Sequence, residues 1–194
     1  MNRDRIYLKL KYMLEHQEHK SASTSQSQVS AGITHAVKHG HIKPNTINVD
    51  YGGGKYDKGK AHVEDNVSSA KLHVHDIYNR SDSHNKAVEK ETLGKSDYVG
   101  MHNVLNVIKE PEHRNTALEN MKKFMKPKTG VGHVTVYEGD RSGSGRMSKK
   151  DTGSGSSWQN HKPTASYVNE IKKVFPEHSH TVEHKGGNIH IKSK

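Results

Sequence analysis

The run Ile47-Asn48-Val49-Asp50-Tyr51-Gly52-Gly53-Gly54 carries an apolar, strand-like segment directly into an acidic residue and three glycines. Glycines at such a point let backbone approach a ligand closely, and strand carboxyl ends are where open α/β sheets dock ligands. A second acid, Asp76 in His75-Asp76-Ile77-Tyr78-Asn79-Arg80, follows roughly twenty residues after the glycines, a spacing at which a carboxylate can accept both hydroxyls of a ribose. Each feature has a plainer explanation. The glycines can form a turn that holds nothing, and Asp76 can cap the next helix or pair with Arg80. Together they point to a ligand of nucleoside type.

The elements that would position these residues alternate between strand and helix patterns, the signature of a parallel sheet covered by helices. Strands are expected at Thr46–Asp50, Lys71–Asp76, Tyr98–His102 and Val131–Glu138, with helices at Lys58–Asn66, Ser83–Leu93, Glu112–Met125 and Thr164–Phe175. Thr164 is a candidate N-cap. An earlier helix, marked by Val29, Ile33, Ala36 and Val37, should stop at His39-Gly40. Residues 180–183 and 188–191, around Gly186-Gly187, read as a closing antiparallel hairpin. The fold class is therefore α/β: a Rossmann-like, mostly parallel sheet flanked by helices, with a C-terminal antiparallel hairpin. Before this domain, 29–194, the pattern gives a basic amphipathic helix in 1–20, with Ile6, Leu10, Met13 and Leu14 on one face. Residues 21–28 form a polar linker.

Composition narrows the chemistry. None of the 194 residues is Cys, which removes disulfides, thiolate metal sites and cysteine nucleophiles. The formal charge of +10 favours encounter with polyanions, so nucleic acid is an expected partner, with a merely solubilising charge as the alternative. The low mean hydropathy of -1.00 implies a lean core. With no run of about 18 apolar residues, no membrane association is expected and a cytoplasmic protein is the default. Among 17 histidines, His73 and His75 share a strand face, and His178, His180 and His184 lie close in sequence. No metal is assigned, because the helical and His–carboxylate spacings of known metal motifs are missing.

Val49-Asp50-Tyr51-Gly52-Gly53-Gly54 resembles the first motif of the class I S-adenosylmethionine-dependent methyltransferases, and Asp76 matches their ribose-binding acid. Ser96-Asp97-Tyr98-Val99-Gly100-Met101-His102-Asn103-Val104-Leu105-Asn106 is similar to that family's fourth strand and the loop beside the transferred methyl. The resemblance implies S-adenosylmethionine as cofactor. It places Asp50 and Gly52, Gly53 and Gly54 at the methionine portion, Asp76 and Tyr78 at the ribose side, and Asn103, Val104 and Leu105 at the methyl. Asn103 could orient a nucleophile and Glu138 accept a proton, with capping of the following turn as the alternative role for Asn103.

Two departures carry consequences. Asp57 stands where a dinucleotide-binding Gly-x-Gly-x-x-Gly has its third glycine, which favours a methyltransferase over a dehydrogenase. Only about twenty residues separate Asp76 from Asp97, room for one helix and scarcely for the helix, strand and helix usual in the family, so the third-strand region is expected to be shortened. A narrower likeness, to phage and mobile-element proteins with this domain, rests on Asn103–Asn106, Val136–Asp140 and Trp158–Asn160; it would place the protein in a host cytoplasm.

The basic, glycine-rich segment from Gly139 to Trp158 reads as a long loop near the cofactor end of the sheet. Arg141, Arg146, Lys149 and Lys150 are candidates for phosphate contact and Trp158 for stacking on a substrate ring, the segment acting as an ordering lid or as a solvated loop. The expected function is S-adenosylmethionine-dependent methyl transfer, with nucleic acid as the leading acceptor. The alternatives are a small-molecule methyltransferase, or a non-catalytic protein of the same fold that binds a protein partner, such as a phage-type inhibitor of host defence.

Overall fold

The computed structural model describes residues 27–148 and 157–194. The N-terminal helix, most of the linker, and Lys149 and Lys150 lie outside those residues. Six strands form the central sheet: β1 (Ile47–Tyr51), β2 (Lys71–His75), β3 (Tyr98–His102), β4 (Val131–Thr135), β7 (His180–Lys185) and β8 (Asn188–Ser193). Their spatial order is β2-β1-β3-β4-β8-β7. The first four pair in parallel, whereas β8 runs antiparallel to β4 and β7 antiparallel to β8.

Helices cover both faces. On one, α1 (Ala31–Lys38) and α2 (Lys58–Asn66) bury Ile33, Ala36 and Val63 against Leu72 and Tyr98. On the other, α3 (Asp82–Thr92), α4 (Pro111–Phe124) and α5 (Val168–Val174) close over Val49, Val99, Met101, Val134 and Ile189. Central strand β3 is buried along its whole length, as expected of a parallel strand covered on both sides. Local chemistry sets the helix ends. Ser30 accepts from the Ile33 N–H, Ser81 accepts from the His84 N–H, and Pro111 opens α4 where its missing N–H costs no helical bond.

Between β2 and β3 the chain forms α3 and no strand, so β2 is the sheet's edge. The shortened third-strand region is thus a strand left out altogether. Three other expectations are corrected. Strand β4 ends at Thr135 and not at Glu138, because Thr135 lies opposite His102, where β3 stops, and beyond it nothing remains to pair with. Residues 139–163 are not simply a loop: β5 (Gly145–Ser148) and β6 (Ser157–Asn160) pair antiparallel as a separate ribbon. Gly145 makes room for the Trp158 ring, whose Cζ2 would lie 2.0 Å from a Cβ at that position. The last expected helix opens as a 3-10 turn over Thr164–Tyr167. Thr164 does not cap it with its own hydroxyl; its N–H donates to the Glu138 carboxylate at 2.7 Å, an acid brought from another segment.

Candidate functional site

A cavity opens at the carboxyl ends of β1, β2 and β3, the end of an α/β sheet where ligands dock. Its floor is the bend after β1. Gly52 and Gly54 adopt φ of 76° and 78°, which a side chain would strain, and a Cβ on Gly52 would meet Val104 Cγ2 at 2.4 Å. Gly53 is constrained differently: its Cβ would lie 2.7 Å from Asp50 Oδ2. Backbone conformation at Gly52 and Gly54 and close approach at Gly52 and Gly53 therefore disfavour side chains at three consecutive positions, leaving bare backbone toward the cavity.

Asp50 lies beneath this bend and is 7% exposed. Its Oδ1 is buried without a hydrogen-bond partner. Burial, and then the nearby charge of Asp76, push the carboxyl up to about 7. An oxygen so placed calls for a donor or a cation, and among the described residues Oδ1 has none.

Asp76, just beyond β2, is fixed on every side. One oxygen accepts from the Tyr78 and Asn79 N–H groups at 2.9 Å and from Asn79 Nδ2 at 3.1 Å. The other accepts from the Gly54 N–H at 2.9 Å. Its backbone is held from α3 by Asn85, whose Oδ1 accepts from the Asp76 N–H while its Nδ2 donates to the Asp76 carbonyl. The plainer explanations of Asp76 are decided by these contacts: Ser81 caps α3, and Arg80 pairs with Asp57 at 2.7 Å while donating to the Gly54 carbonyl. Asp57, at the position of the missing third glycine, is thus part of the clamp on the glycine bend.

Of the residues expected at the methyl end, Asn103 and Val104 line the cavity and Leu105 does not; Leu105 is fully buried in the core. Asn103 adopts φ 60° and its N–H donates to the Thr135 carbonyl. Glu138 is also absent from the cavity wall. Besides holding Thr164, its Oε2 pairs with Arg141 Nε at 2.6 Å, and these bonds, led by that from the Thr164 backbone, hold its carboxyl below the usual range. Arg146 pairs with Asp140 at 2.7 Å. Trp158 donates to Asn160 Oδ1 and has Lys109 Nζ 5.0 Å from its ring centre. None of these three lines the cavity. The ribbon instead braces it from behind: Asn160 Nδ2 donates to the carbonyls of Leu105 and Ile108, and Asn106 Nδ2 to Gln159 Oε1.

Sequence reasoning missed several cavity residues. Gln28 and Ser30 arrive from the start of α1, His113 and Asn120 from α4, and no local pattern marks them. His102 had a signal, as the last residue of β3 immediately before Asn103. Its ring is sandwiched where Gly32 and Gly100 leave space, and burial drives it down to about 3.

No protein-family model matches the sequence, and no curated protein matches it. The structure does have solved counterparts. Streptomyces venezuelae DesVI superposes with a TM-score of 0.53 at 12% identity, covering 100% of this chain and 99% of that one. The sugar N-methyltransferase KedS8 from Streptoalloteichus gives 0.53 at 9% identity over 96% of this chain and 92% of its own. A Listeria monocytogenes protein described as a candidate S-adenosylmethionine-dependent methyltransferase gives 0.50 at 11% identity, covering 84% of this chain and 99% of its own. At such identities the likeness defines the fold: this chain has the Rossmann-like fold of the class I methyltransferases, mostly parallel with a closing antiparallel hairpin. The narrower likeness to phage proteins receives no support from these structures. Among the described residues, no helix is long and apolar enough to cross a membrane.

Proposed function

We propose that the protein binds S-adenosylmethionine at the carboxyl ends of β1–β3 and acts as a methyltransferase. The observation that carries this reading is the buried, unpartnered Asp50 oxygen beside a side-chain-free glycine bend, joined to Asp76 across the same cavity. The cofactor's methionine end offers an ammonium, the donor that Asp50 lacks. Gly52, Gly53 and Gly54 admit its backbone-like portion at close range. Asp76 and Tyr78 stand on the ribose side, where Asp76 Oδ2, which among the described residues accepts from the Gly54 N–H alone, has room to accept from a ribose hydroxyl. Asn103 and Val104 border the end at which the methyl is exposed.

Bound there, S-adenosylmethionine supplies an electrophilic methyl on a sulfonium. The protein's own contribution is then positioning in a partly dehydrated cleft, for which a dedicated base is dispensable when the acceptor is a neutral amine held in line: its lone pair forms the new C–N bond as the C–S bond breaks, and the proton leaves to water. Asn103, at the rim, is the residue suited to orienting that acceptor. Glu138 is unsuited to proton transfer, since both of its oxygens are engaged away from the cavity.

The acceptor class we favour is nucleic acid, on the charge of +10. Arg141, in the turn before the ribbon, and Arg146, within it, are already paired with acids, so the attraction is a property of the whole surface more than of a dedicated phosphate clamp. A small-molecule acceptor predicts turnover indifferent to salt. Calorimetric titration with S-adenosylmethionine and its demethylated product tests the cofactor site. Binding by the wild type that is weakened in Asp76→Ala supports it, and no binding by well-folded wild-type protein overturns it.

A further inference from the structure

A second polar cluster lies on the sheet face covered by α1, away from the cavity wall. His35 comes from α1, His133 from the middle of β4 and His190 from β8. His133 and His190 are partners in the antiparallel register, and their rings stack at 4.8 Å with 22° between planes. One ring nitrogen from each of the three residues lies within 4.8 Å of the others. His133 is fully buried, and its Nε2 has no hydrogen-bond partner.

The other nitrogen of that ring is engaged. Tyr98 Oη lies 3.1 Å from His133 Nδ1 and 3.1 Å from His102 Nε2, and His102 Nδ1 lies 3.0 Å from Thr135 Oγ1. Two proton assignments, running in opposite directions, satisfy every link. In the first, His133 Nδ1–H donates to Tyr98, the Tyr98 hydroxyl donates to His102 Nε2, and His102 Nδ1–H donates to Thr135, which leaves a bare lone pair on His133 Nε2. In the second every donor and acceptor is exchanged and Nε2 carries the proton, so a metal at the cluster selects the first. An imidazole oriented through its second nitrogen, with the first lone pair free, is how metal-binding histidines are prepared.

We propose that His35, His133 and His190 bind one Zn2+ ion, which fastens α1 to β4 and β8. Three neutral nitrogen donors suit a borderline transition ion, while Mg2+ and Ca2+ would require oxygen ligands that this set does not contain. Lys38, Lys185 and Lys192 act on the cluster against the single acid Glu183, so the field does not hold a loose cation and an ion is retained there through direct nitrogen bonds. Tetrahedral Zn–N bonds of 2.0–2.1 Å place ligand nitrogens ~3.3 Å apart, so modest side-chain rotation closes the set. His41 adjoins the fourth position, its ring centre 5.0 Å from that of His190 and 5.6 Å from that of His133. The sequence concealed this site because its ligands are distant along the chain and follow no motif spacing.

The test uses the tag-free, full-length chain stripped of metal and titrated with Zn2+ against a chromogenic chelator. One tight equivalent is expected, lost by tenfold or more in affinity in His35→Gln and in His190→Gln, both partly exposed positions that tolerate substitution. Tyr98→Phe should weaken binding about 10–100-fold while leaving all three ligands in place. His178→Gln and His184→Gln should leave the equivalent unchanged. Substitution of Co2+ should give the intense visible bands of a tetrahedral site. Several weak equivalents, an equivalent indifferent to His35→Gln and His190→Gln, or a pale octahedral Co2+ spectrum would each overturn the proposal. None of these readouts depends on S-adenosylmethionine.

Discussion

The Asp76 carboxylate accepts a hydrogen bond from the Gly54 N–H at 2.9 Å, so the acid after β2 and the glycine bend after β1 form one connected wall. Removing that acid does two things: it withdraws the acceptor for a ribose and releases one anchor of the bend. Asp76→Ala is expected to weaken S-adenosylmethionine binding by about 1–3 kcal/mol, the cost of leaving a buried hydrogen-bonding group without its partner, as read by calorimetry. An unchanged affinity would place the ligand elsewhere.

Asp50 should make cofactor affinity depend on pH. Its carboxyl titrates near 7 in the ligand-free protein, whereas an ammonium partner requires the ionised form. Affinity should therefore rise with pH below about 7, by up to roughly tenfold per unit for one proton released, and level off above. The effect on stability has the opposite sense. A carboxyl whose folded value is raised above its unfolded value favours the folded state at low pH, so the contribution of Asp50 to stability is lost as pH rises from about 4 to about 7, whereas buried histidines such as His102, with lowered values, contribute the opposite slope. In Asp50→Asn the pH dependence of cofactor binding below about 7 should flatten, and the difference between wild-type and variant melting curves across this range should isolate the Asp50 contribution.

At Gly52 the left-handed backbone and the Val104 contact act together. Gly52→Ala is expected to lower stability by about 1–3 kcal/mol and to impair cofactor binding, because relief of the clash moves Val104. Pairing it with Val104→Ala should restore part of the stability and not the backbone strain. Denaturant unfolding of the single and double variants separates the two contributions.

Arg114 supports the cavity from outside. Buried at 3% exposure, it grips both Glu170 oxygens through Nε and NH2, while NH1 donates to the carbonyls of Ile108 and Lys109. Glu170→Ala strands that charge. A loss of roughly 2–3 kcal/mol is expected in thermal unfolding, less than for a wholly buried pair because Glu170 retains some access to water.

The alternating pattern of the sequence was enough to find the four parallel strands and the hairpin within a residue or two, except where β4 runs out of partners. Local chemistry sufficed there, since short apolar runs bounded by polar residues and glycines carry their own boundaries. It failed where the decisive partner is distant. Glu138 looked like a free acid at a strand end, yet the fold spends both its oxygens on Thr164 and Arg141. Leu105 followed Asn103 and Val104 in sequence, but the 3-10 turn over Leu105–Val107 rotates it into the core. The ribbon was invisible because its strands are four residues each and separated by polar chain. The histidines that converge under α1 were counted but could not be assembled without coordinates.

Because the chain omits a strand outside β2, the segment leading to Asp76 has a neighbour on one side only. Thermal fraying that starts at that margin reaches the acid without crossing an intervening strand, and α3, through Asn85, is the restraint that opposes it. The amides of β2 should accordingly exchange with deuterium sooner than those of β3, and a ligand grasped by Asp76 would slow them from a distance.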